Sequence, residues 1–483
     1  MALGGRFSWQ YTVANRHFAA IRGQVIGSIG LETDMNKRAG IILAAGQGTR
    51  MKSAKPKVMH AVAGRPILGH VIAALKGARV ERIVVVTAPN ADEVRAYAAR
   101  EGAESVVQSE QLGTGHAAAC AGSLLADFPG VVVTTYGDMP LVTSATFEAS
   151  FAAREKGGMA LVAFRAEDPA QYGRVIVGKD GLLDRIVEFK DADAEERAID
   201  LCNAGIMAAE AKRFFAWAAR LENKNAQREY YLTDIPTLAK ADGVGCAVAS
   251  VDERETMGVN SRAELANAES AMQQRLRTAA MANGVGMIAP ETVWLSFDTV
   301  FEPDVQLEPN IFFGTGVTVR SSAVIKANSH IEGAEIGKGA IVGPFARLRP
   351  GAKLEEDVHI GNFVEVKNAR VEKGAKANHL TYLGDARVGA GANIGAGTIT
   401  CNYDGFDKYH TDIGAGAFIG SNSALVAPVK IGDGAYVGAG STIAKPVEEN
   451  ALAVVRAEQK SVPGWAEKFR TRKKAEKAAK AKK

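Results

Sequence analysis

Four groups of residues have the types and spacing to do chemistry. The first is Leu43-Ala44-Ala45-Gly46-Gln47-Gly48-Thr49-Arg50-Met51, followed by Lys55-Pro56-Lys57. Glycines let backbone N–H groups approach an anion, and Arg50 and Lys57 can neutralise a triphosphate and the charge that develops on it. The loop is neither a Walker A motif nor G-x-G-x-x-G, which excludes kinase-type and dehydrogenase loops. The second group is Tyr136-Gly137-Asp138. A carboxylate in a site for highly anionic substrates repels them unless a cation intervenes, and magnesium takes hard oxygen ligands while substrate phosphates complete its shell. The third is the pair Arg349 and Lys367, eighteen residues apart. Two stacked cations repel each other unless an anion sits between them. The fourth is His379, in Asn378-His379-Leu380-Thr381-Tyr382-Leu383-Gly384-Asp385, with Asn393 and Tyr403 nearby in sequence. An imidazole, whose ordinary pKa is about 6.5, suits removal of a proton from an amine.

The elements that must position these groups fall into two patterns. Strands expected over 39–44, 82–87, 104–107 and 131–135 alternate with helices over 66–78, 91–100 and 115–126. Such alternation gives a parallel sheet covered on both faces, with ligands bound beyond the carboxyl ends of the strands. The Gly46 loop and Asp138 both fall at those ends. Farther on, Ile413, Ile419, Leu425, Ile431, Val437 and Ile443 recur every six residues, and so do Ile336, Val342, Leu348, Leu354, Ile360 and Val366. A beat of six fits neither helix nor hairpin. It sends one aliphatic chain inward from each side of a three-sided coil of eighteen residues per turn, a solenoid of parallel strands. One such turn stacks Arg349 on Lys367. The frame slips by one between Val366 and Val371, so counting leaves the face of His379 open. The stretch Cys401-Asn402-Tyr403-Asp404-Gly405-Phe406 loses the beat and is expected to project as a loop. Between the two patterns, 261–283 reads as a linking helix with Leu265, Met272, Leu276 and Ala279 on one face, stopped at Asn283-Gly284.

Bulk properties exclude several classes. At 483 residues the chain is too long for one core. The formal charge of +4 is carried by a tail, 465–483, with nine Lys or Arg against two Glu; the remainder is −3, which excludes a nucleic-acid binder. That Lys/Ala tail is expected to be disordered. Cys120, Cys202, Cys246 and Cys401 lie far apart without metal-ligand spacing, as free thiols in a reducing compartment would. No apolar run approaches the roughly 20 residues of a membrane span. Residues 1–34 carry Arg6, Arg16 and Arg22 and no acid before Glu32. Two readings stand for them: a transit peptide, or an upstream start codon ahead of a beginning at Met35.

The motifs LAAGQGTRM, PKV, QLGTGHA at 111–117 and YGD resemble those of the sugar-1-phosphate nucleotidyltransferases, which often have a basic residue where this chain has Gln47. That resemblance implies a nucleotide site of Leu43, Ala44, Ala45, Gly46, Lys57, Tyr136, Gly137 and Asp138, with Arg50 and Lys57 catalytic. It implies Gln108, Gly113 and Thr114 at the uracil, and Gly173, Glu188 and Asn203, from YGR, IVEFKD and CNAGI, at the sugar. Asn260, in Gly258-Val259-Asn260, resembles the second magnesium ligand beside Asp138. The hexapeptide beat and Phe345-Ala346-Arg347-Leu348-Arg349-Pro350 resemble the hexapeptide-repeat acyltransferases, which implies a left-handed coil, against the usual crossover rule. With both signatures on one chain, the sequence resembles the family of bifunctional N-acetylglucosamine-1-phosphate uridyltransferase/glucosamine-1-phosphate N-acetyltransferases. The fold implied is α/β: an N-terminal Rossmann-like nucleotidyltransferase domain over 35–261, the linking helix over 262–284, a left-handed parallel β-helix acetyltransferase domain over 285–464, and the tail. The family implies that His379 is the base, that Arg349, Lys367, Tyr382 and Asn393 hold glucosamine 1-phosphate, and that Ala396, Asn402, Tyr403, Ser421, Ala439 and Arg456 hold acetyl-CoA. It further implies UTP and acetyl-CoA as co-substrates, Mg2+, a cytoplasmic homotrimer, and UDP-N-acetylglucosamine, a bacterial envelope precursor, as product. Two other assignments share both domain types: a single-activity nucleotidyltransferase with a structural β-helix, and a non-catalytic exchange-factor subunit.

Overall fold

The computed structural model describes residues 36–46, 48–170, 172–225 and 227–481. The expectations for residues 1–34 and for Gln47 lie outside the described residues.

Strand β1 (Arg38–Ala44) is central to the N-terminal sheet. It pairs in parallel with β2 (Arg82–Thr87), beyond which lies β3 (Glu104–Val107), and on its other side with β4 (Val131–Tyr136). Neighbouring residues of a strand face opposite sides, and both sides here are covered. Ile42 joins Leu68, Val71, Ile72 and Phe147 from helices Ile67–Gly77 and Ser144–Gly157. Ile41 joins Ala118, Phe214 and Trp217 from helices Thr114–Cys120 and Ala211–Ala218. Double coverage is why β1 reads as a continuous apolar run. The expected parallel sheet is interrupted by an antiparallel strand, β6 (Leu201–Glu210), which lies between β4 and β5 (Gly158–Arg165), and the antiparallel hairpin Arg174–Val177 with Leu183–Val187 pairs onto it. At the edge, β7 (Gly245–Val251) returns parallel to β5.

Helix Arg262–Ala282 starts on a capping box, Ser261 with Glu264, and ends before Gly284 at φ +91°. It joins the two halves through side chains as well as through the chain. Glu269 Oε2 accepts from Ala63 N at 2.7 Å, and Gln273 exchanges two hydrogen bonds with the Leu295 backbone at 2.7 and 2.8 Å. Leu276 packs against the cores of both halves.

From Gly286 onward, short strands wind into a parallel three-sided coil. Along one side Ile325, Val342, Ile360, Ala377, Ile394, Ile419 and Val437 form a ladder with at most 3 % exposure. Each buried aliphatic chain contributes ~1.5–3 kcal/mol, which is how strands of two or three residues hold together. Val342 to Ile360 is a turn of eighteen, whereas Ile360 to Ala377 is a turn of seventeen. The slip in the hexapeptide beat between Val366 and Val371 falls in that shorter turn, and Ile325 to Val342 and Ala377 to Ile394 are also turns of seventeen. Ile394 to Ile419 spans twenty-five residues because 402–409 leave the coil as a projecting loop, closed by a bridge between Tyr403 and Lys408, with Phe406 91 % exposed.

The tail departs from its expected disorder. Trp465–Lys480 is a helix with no buried residue. Alanine, lysine, arginine and glutamate are strong helix formers, and Glu467 in the first turn with Lys477 and Lys480 in the last suits the helix dipole. Trp465 and Phe469 add a stacked pair one turn apart, with centroids 5.0 Å apart.

Candidate active sites

The first site lies beyond the carboxyl ends of β1 and β4. Gly137 N donates to Leu43 O at 2.9 Å, joining the two strand ends, and Val259 N donates to Asp138 O at 2.9 Å, which brings Asn260 alongside Asp138. Lys57 opens the short helical turn Lys57–Met59 and reaches into the same place. Its ammonium is 2.5 Å from Asp138 Oδ2 and 2.8 Å from Asn260 Oδ1. Gly48, at φ +60°, allows the loop to pass there, since a Cβ would sit 2.7 Å from Lys57 Cβ. Two oxygens from distant parts of the chain thus converge on one cationic centre.

A cavity of about 360 Å³ runs from there along Ala44, Ala45 and Gly46 to Gln108, Gly113 and Thr114. Gln108 is buried, and Gln111 Nε2 donates to Ala45 O at 2.6 Å across the cavity. Thr114 and Tyr136 also line an adjoining cavity of about 390 Å³, together with Gly173, Glu188 and Asn203. Strand β6 brings Asn203 to this second wall, and the ends of the hairpin Arg174–Val177 with Leu183–Val187 bring Gly173 and Glu188. The register of β6 against β5 shifts between Asn203 and Ile206, Asn203 N donates to Gly173 O at 2.9 Å, and Asn203 Oδ1 accepts from Gly205 N at 2.8 Å. Burial pushes the Glu188 carboxyl above the usual carboxylate range, although Thr233 donates to it. Burial, with the nearby Asp138 and Glu188, likewise raises Tyr136. Arg50 stands apart: it is exposed, and among the described residues it makes no hydrogen bond or ion pair. A third space of about 660 Å³ extends from Gly46 and Lys57 past Thr49 and Lys55.

The second site follows one corner of the β-helix. The seventeen-residue turn sets Asn362 beside His379, and Asn362 Oδ1 lies 2.7 Å from His379 Nδ1. An amide oxygen only accepts, so Nδ1 carries the hydrogen, and in the neutral ring Nε2 keeps a lone pair. The next turns continue the same corner. Gly397 N donates to His379 O, Asn422 N to Ala396 O, and Gly440 N to Ser421 O, and Arg456 Nη1 donates to Ala439 O at 2.8 Å. Ala396, Ser421, Ala439 and Arg456 therefore follow His379 in order along one edge. On the adjoining side Arg349 N donates to Val366 O and Lys367 pairs with Gly384, so Arg349, Lys367 and Tyr382 occupy successive turns.

The expected bare pair of stacked cations is not what the structure contains. Arg349 Nη1 is 2.9 Å from Glu365 Oε1, and Arg347 approaches the same carboxylate. Glu365 precedes Val366 in the strand that carries Lys367, so the coil supplies its own anion for Arg349. Asp385 is a second carboxylate absent from the expected set. It accepts from Asn368 at 2.6 Å and from Asn402 at 2.5 Å, and Asn402 also reaches the Tyr382 hydroxyl at 3.5 Å. Burial works against charge on Asp385, yet those bonds and the Lys367 charge hold its carboxyl below the usual range. Tyr403 is exposed on the projecting loop. Asn393 lies on the flat side before the corner, paired with Lys376 and Phe418, and its side chain bonds to none of His379, Arg349, Lys367 or Tyr382. Asn362 was within reach of the sequence, one turn before His379, once the turn was known to be seventeen residues.

Comparison with known proteins agrees with both halves. Residues 40–205 match the MobA-like NTP transferase domain, and residues 333–368 and 410–445 match the bacterial transferase hexapeptide (six repeats), which makes the coil the left-handed β-helix of that repeat. The chain is 53% identical over 448 residues to the bifunctional protein GlmU of Paramagnetospirillum magneticum, covering 92% of this chain and 99% of the relative. It is 55% identical to that of Rhodospirillum rubrum, covering 90% and 98%, and 56% identical to that of Rhizorhabdus wittichii, covering 91% and 98%. The chain belongs to the bifunctional GlmU family, in which one polypeptide is both an N-acetyltransferase and a uridyltransferase and makes UDP-N-acetylglucosamine.

Proposed function

We propose that the two reactions are divided between the two sites, with acetyl transfer at the His379 corner of the β-helix and uridyl transfer at the ends of β1 and β4. The observation that most supports this division is the Asn362–His379 hydrogen bond, which gives the imidazole a defined basic nitrogen on an edge lined by Ala396, Ser421 and Ala439. In acetyl transfer the amine of glucosamine 1-phosphate adds to the thioester carbonyl of acetyl-CoA and His379 Nε2 takes its proton. The carbon–sulfur bond then breaks, and the proton leaves with the CoA thiolate. Arg349, Lys367 and Tyr382, with Asn393, hold the sugar phosphate. Asn402, Tyr403, Ala396, Ser421, Ala439 and Arg456 hold CoA. Arg349 exchanges or shares its bond to Glu365 when the phosphate arrives.

In uridyl transfer a phosphate oxygen of N-acetylglucosamine 1-phosphate attacks the α-phosphorus of UTP and pyrophosphate leaves. Gln108, Gly113 and Thr114 receive the uracil, while Gly173, Glu188 and Asn203 receive the sugar. Backbone N–H groups of the Gly46 loop, with Lys57 and Arg50, bind the phosphates. The donor set fits magnesium: Asp138 and Asn260 are hard oxygen ligands, and the Lys57 ammonium between them stands in for a cation. When bound, magnesium would supply charge neutralisation on the phosphates between Asp138 and Asn260. Lys57 would then be available to neutralise the phosphates.

The same proposal divides the chain at 35–261, 262–284, 285–464 and 465–483. It places the enzyme in the cytoplasm as a homotrimer through the β-helices. Free cysteines and the exposed Phe312, Phe345 and Phe363 along the coil support that, and among the described residues no helix is long and apolar enough to cross a membrane. The test is the purified chain given acetyl-CoA, glucosamine 1-phosphate and UTP, followed for free thiol and for pyrophosphate. Thiol release should require the amino sugar phosphate, and pyrophosphate release should require magnesium.

A further inference from the structure

The motif QLGTGHA contains a histidine to which neither reaction assigns a part. His116 lies on helix Thr114–Cys120 behind the buried Gln108. Gln108 Nε2 is 3.1 Å from Gly113 O and 3.1 Å from His116 Nδ1. An amide nitrogen has two hydrogens and only donates, so both hydrogens are committed and His116 Nδ1 acts as an acceptor. Among the described residues Gln108 Oε1 is then left without such a bond, on a residue that lines the nucleotide cavity. The surroundings of His116 are built as well. Its ring lies 6.3 Å from that of Tyr230, whose carbonyl accepts from Gly115 N at 2.8 Å and whose N–H donates to Leu112 O at 2.8 Å.

We propose that His116 is a positioning residue for base selection: it fixes the Gln108 amide with its oxygen toward the base, so that the site takes a base presenting an imino N–H. Uracil presents N3–H there, whereas cytosine presents a bare acceptor nitrogen. Two acceptors meeting leave both unpaired, which a site built to hydrogen-bond its substrate rejects strongly. Gly113 O alone holds one amide hydrogen. With His116 the second is held too, and the amide cannot turn over without setting its oxygen against two lone pairs. This rests on the reading that Gln108 faces the base.

The experiment measures kcat/KM for UTP and for CTP by pyrophosphate release, using the full chain with magnesium and N-acetylglucosamine 1-phosphate. His116→Leu, with no acceptor, and His116→Lys, a soluble donor-only replacement, should each lower the UTP-to-CTP ratio by about tenfold or more. The KM for N-acetylglucosamine 1-phosphate and kcat at saturating UTP should remain near wild type. His116→Asn, whose amide oxygen can accept, should restore most of the ratio, which a purely structural role would not predict. A wild-type ratio in His116→Lys or His116→Leu overturns the inference. Gln108→Leu separates the two layers. If it leaves the KM for UTP unchanged, Gln108 is not at the base and the underlying reading fails. If it weakens UTP while the His116 variants keep the ratio, the base site stands and the role of His116 falls.

Discussion

Lys57 holds together the two oxygens that the proposed magnesium needs, 2.5 Å from Asp138 and 2.8 Å from Asn260. Asp138→Asn should therefore lower uridyl transfer steeply and raise the magnesium concentration for half-maximal rate, because a neutral amide coordinates the ion less strongly. A magnesium titration of pyrophosphate release checks this, and an unchanged midpoint contradicts the ligand role. At the other site, the hydrogen bond from His379 to Asn362 sets the tautomer. Asn362→Leu should lower the acetyl-transfer kcat by about tenfold, the order of one oriented hydrogen bond, with the KM for glucosamine 1-phosphate little changed. A change confined to KM would place Asn362 in phosphate binding instead.

Among the elements, those with a strong period are legible in the sequence. The apolar run of β1 and the hexapeptide ladder bury side chains at fixed intervals, so type alone gives them away. The glycine stop at Gly284 bounded the linking helix in the same way, whereas its capping box at Ser261 emerges only in the structure. The tail failed because its helix buries nothing, and composition with no apolar face reads as disorder. Glu365 and Asp385 were missed because register across turns, and not sequence distance, sets them beside Arg349 and Asn402. Register also decides a stability effect at the small hairpin Ala61–Val62 and Arg65–Pro66. There His70, from helix Ile67–Gly77, donates to Val62 O at 2.8 Å, and burial lowers its pKa from 6.5 to about 4. The unfolded chain therefore binds a proton that the folded chain refuses, so this contribution is intact above pH 6.5 and is lost as pH falls toward 4. At full extent it amounts to about 3 kcal/mol. His70→Gln, a donor that does not titrate, should show a shallower fall in Tm between pH 7 and 5 than the parent. A parallel fall would mean that His70 is not the group responsible.

At the scale of the whole molecule, the two sites share no residue among those described, so each activity should survive loss of the other. Truncation before Glu467 removes a helix with no buried residue and should leave both rates and the Tm unchanged. Loss of acetyl transfer in that variant would show that the helix closes over CoA. The proposed trimer should appear in sedimentation as three times the mass of one chain. The most direct measurement is His379→Ala, assayed for free thiol with acetyl-CoA and glucosamine 1-phosphate, and for pyrophosphate with UTP and supplied N-acetylglucosamine 1-phosphate. Loss of the general base should cut thiol release by about 10² to 10⁴, while pyrophosphate release stays near wild type. If the variant keeps at least half of its thiol release across neutral pH, or loses both reactions together while remaining folded, the division of the two chemistries between two independent sites is contradicted.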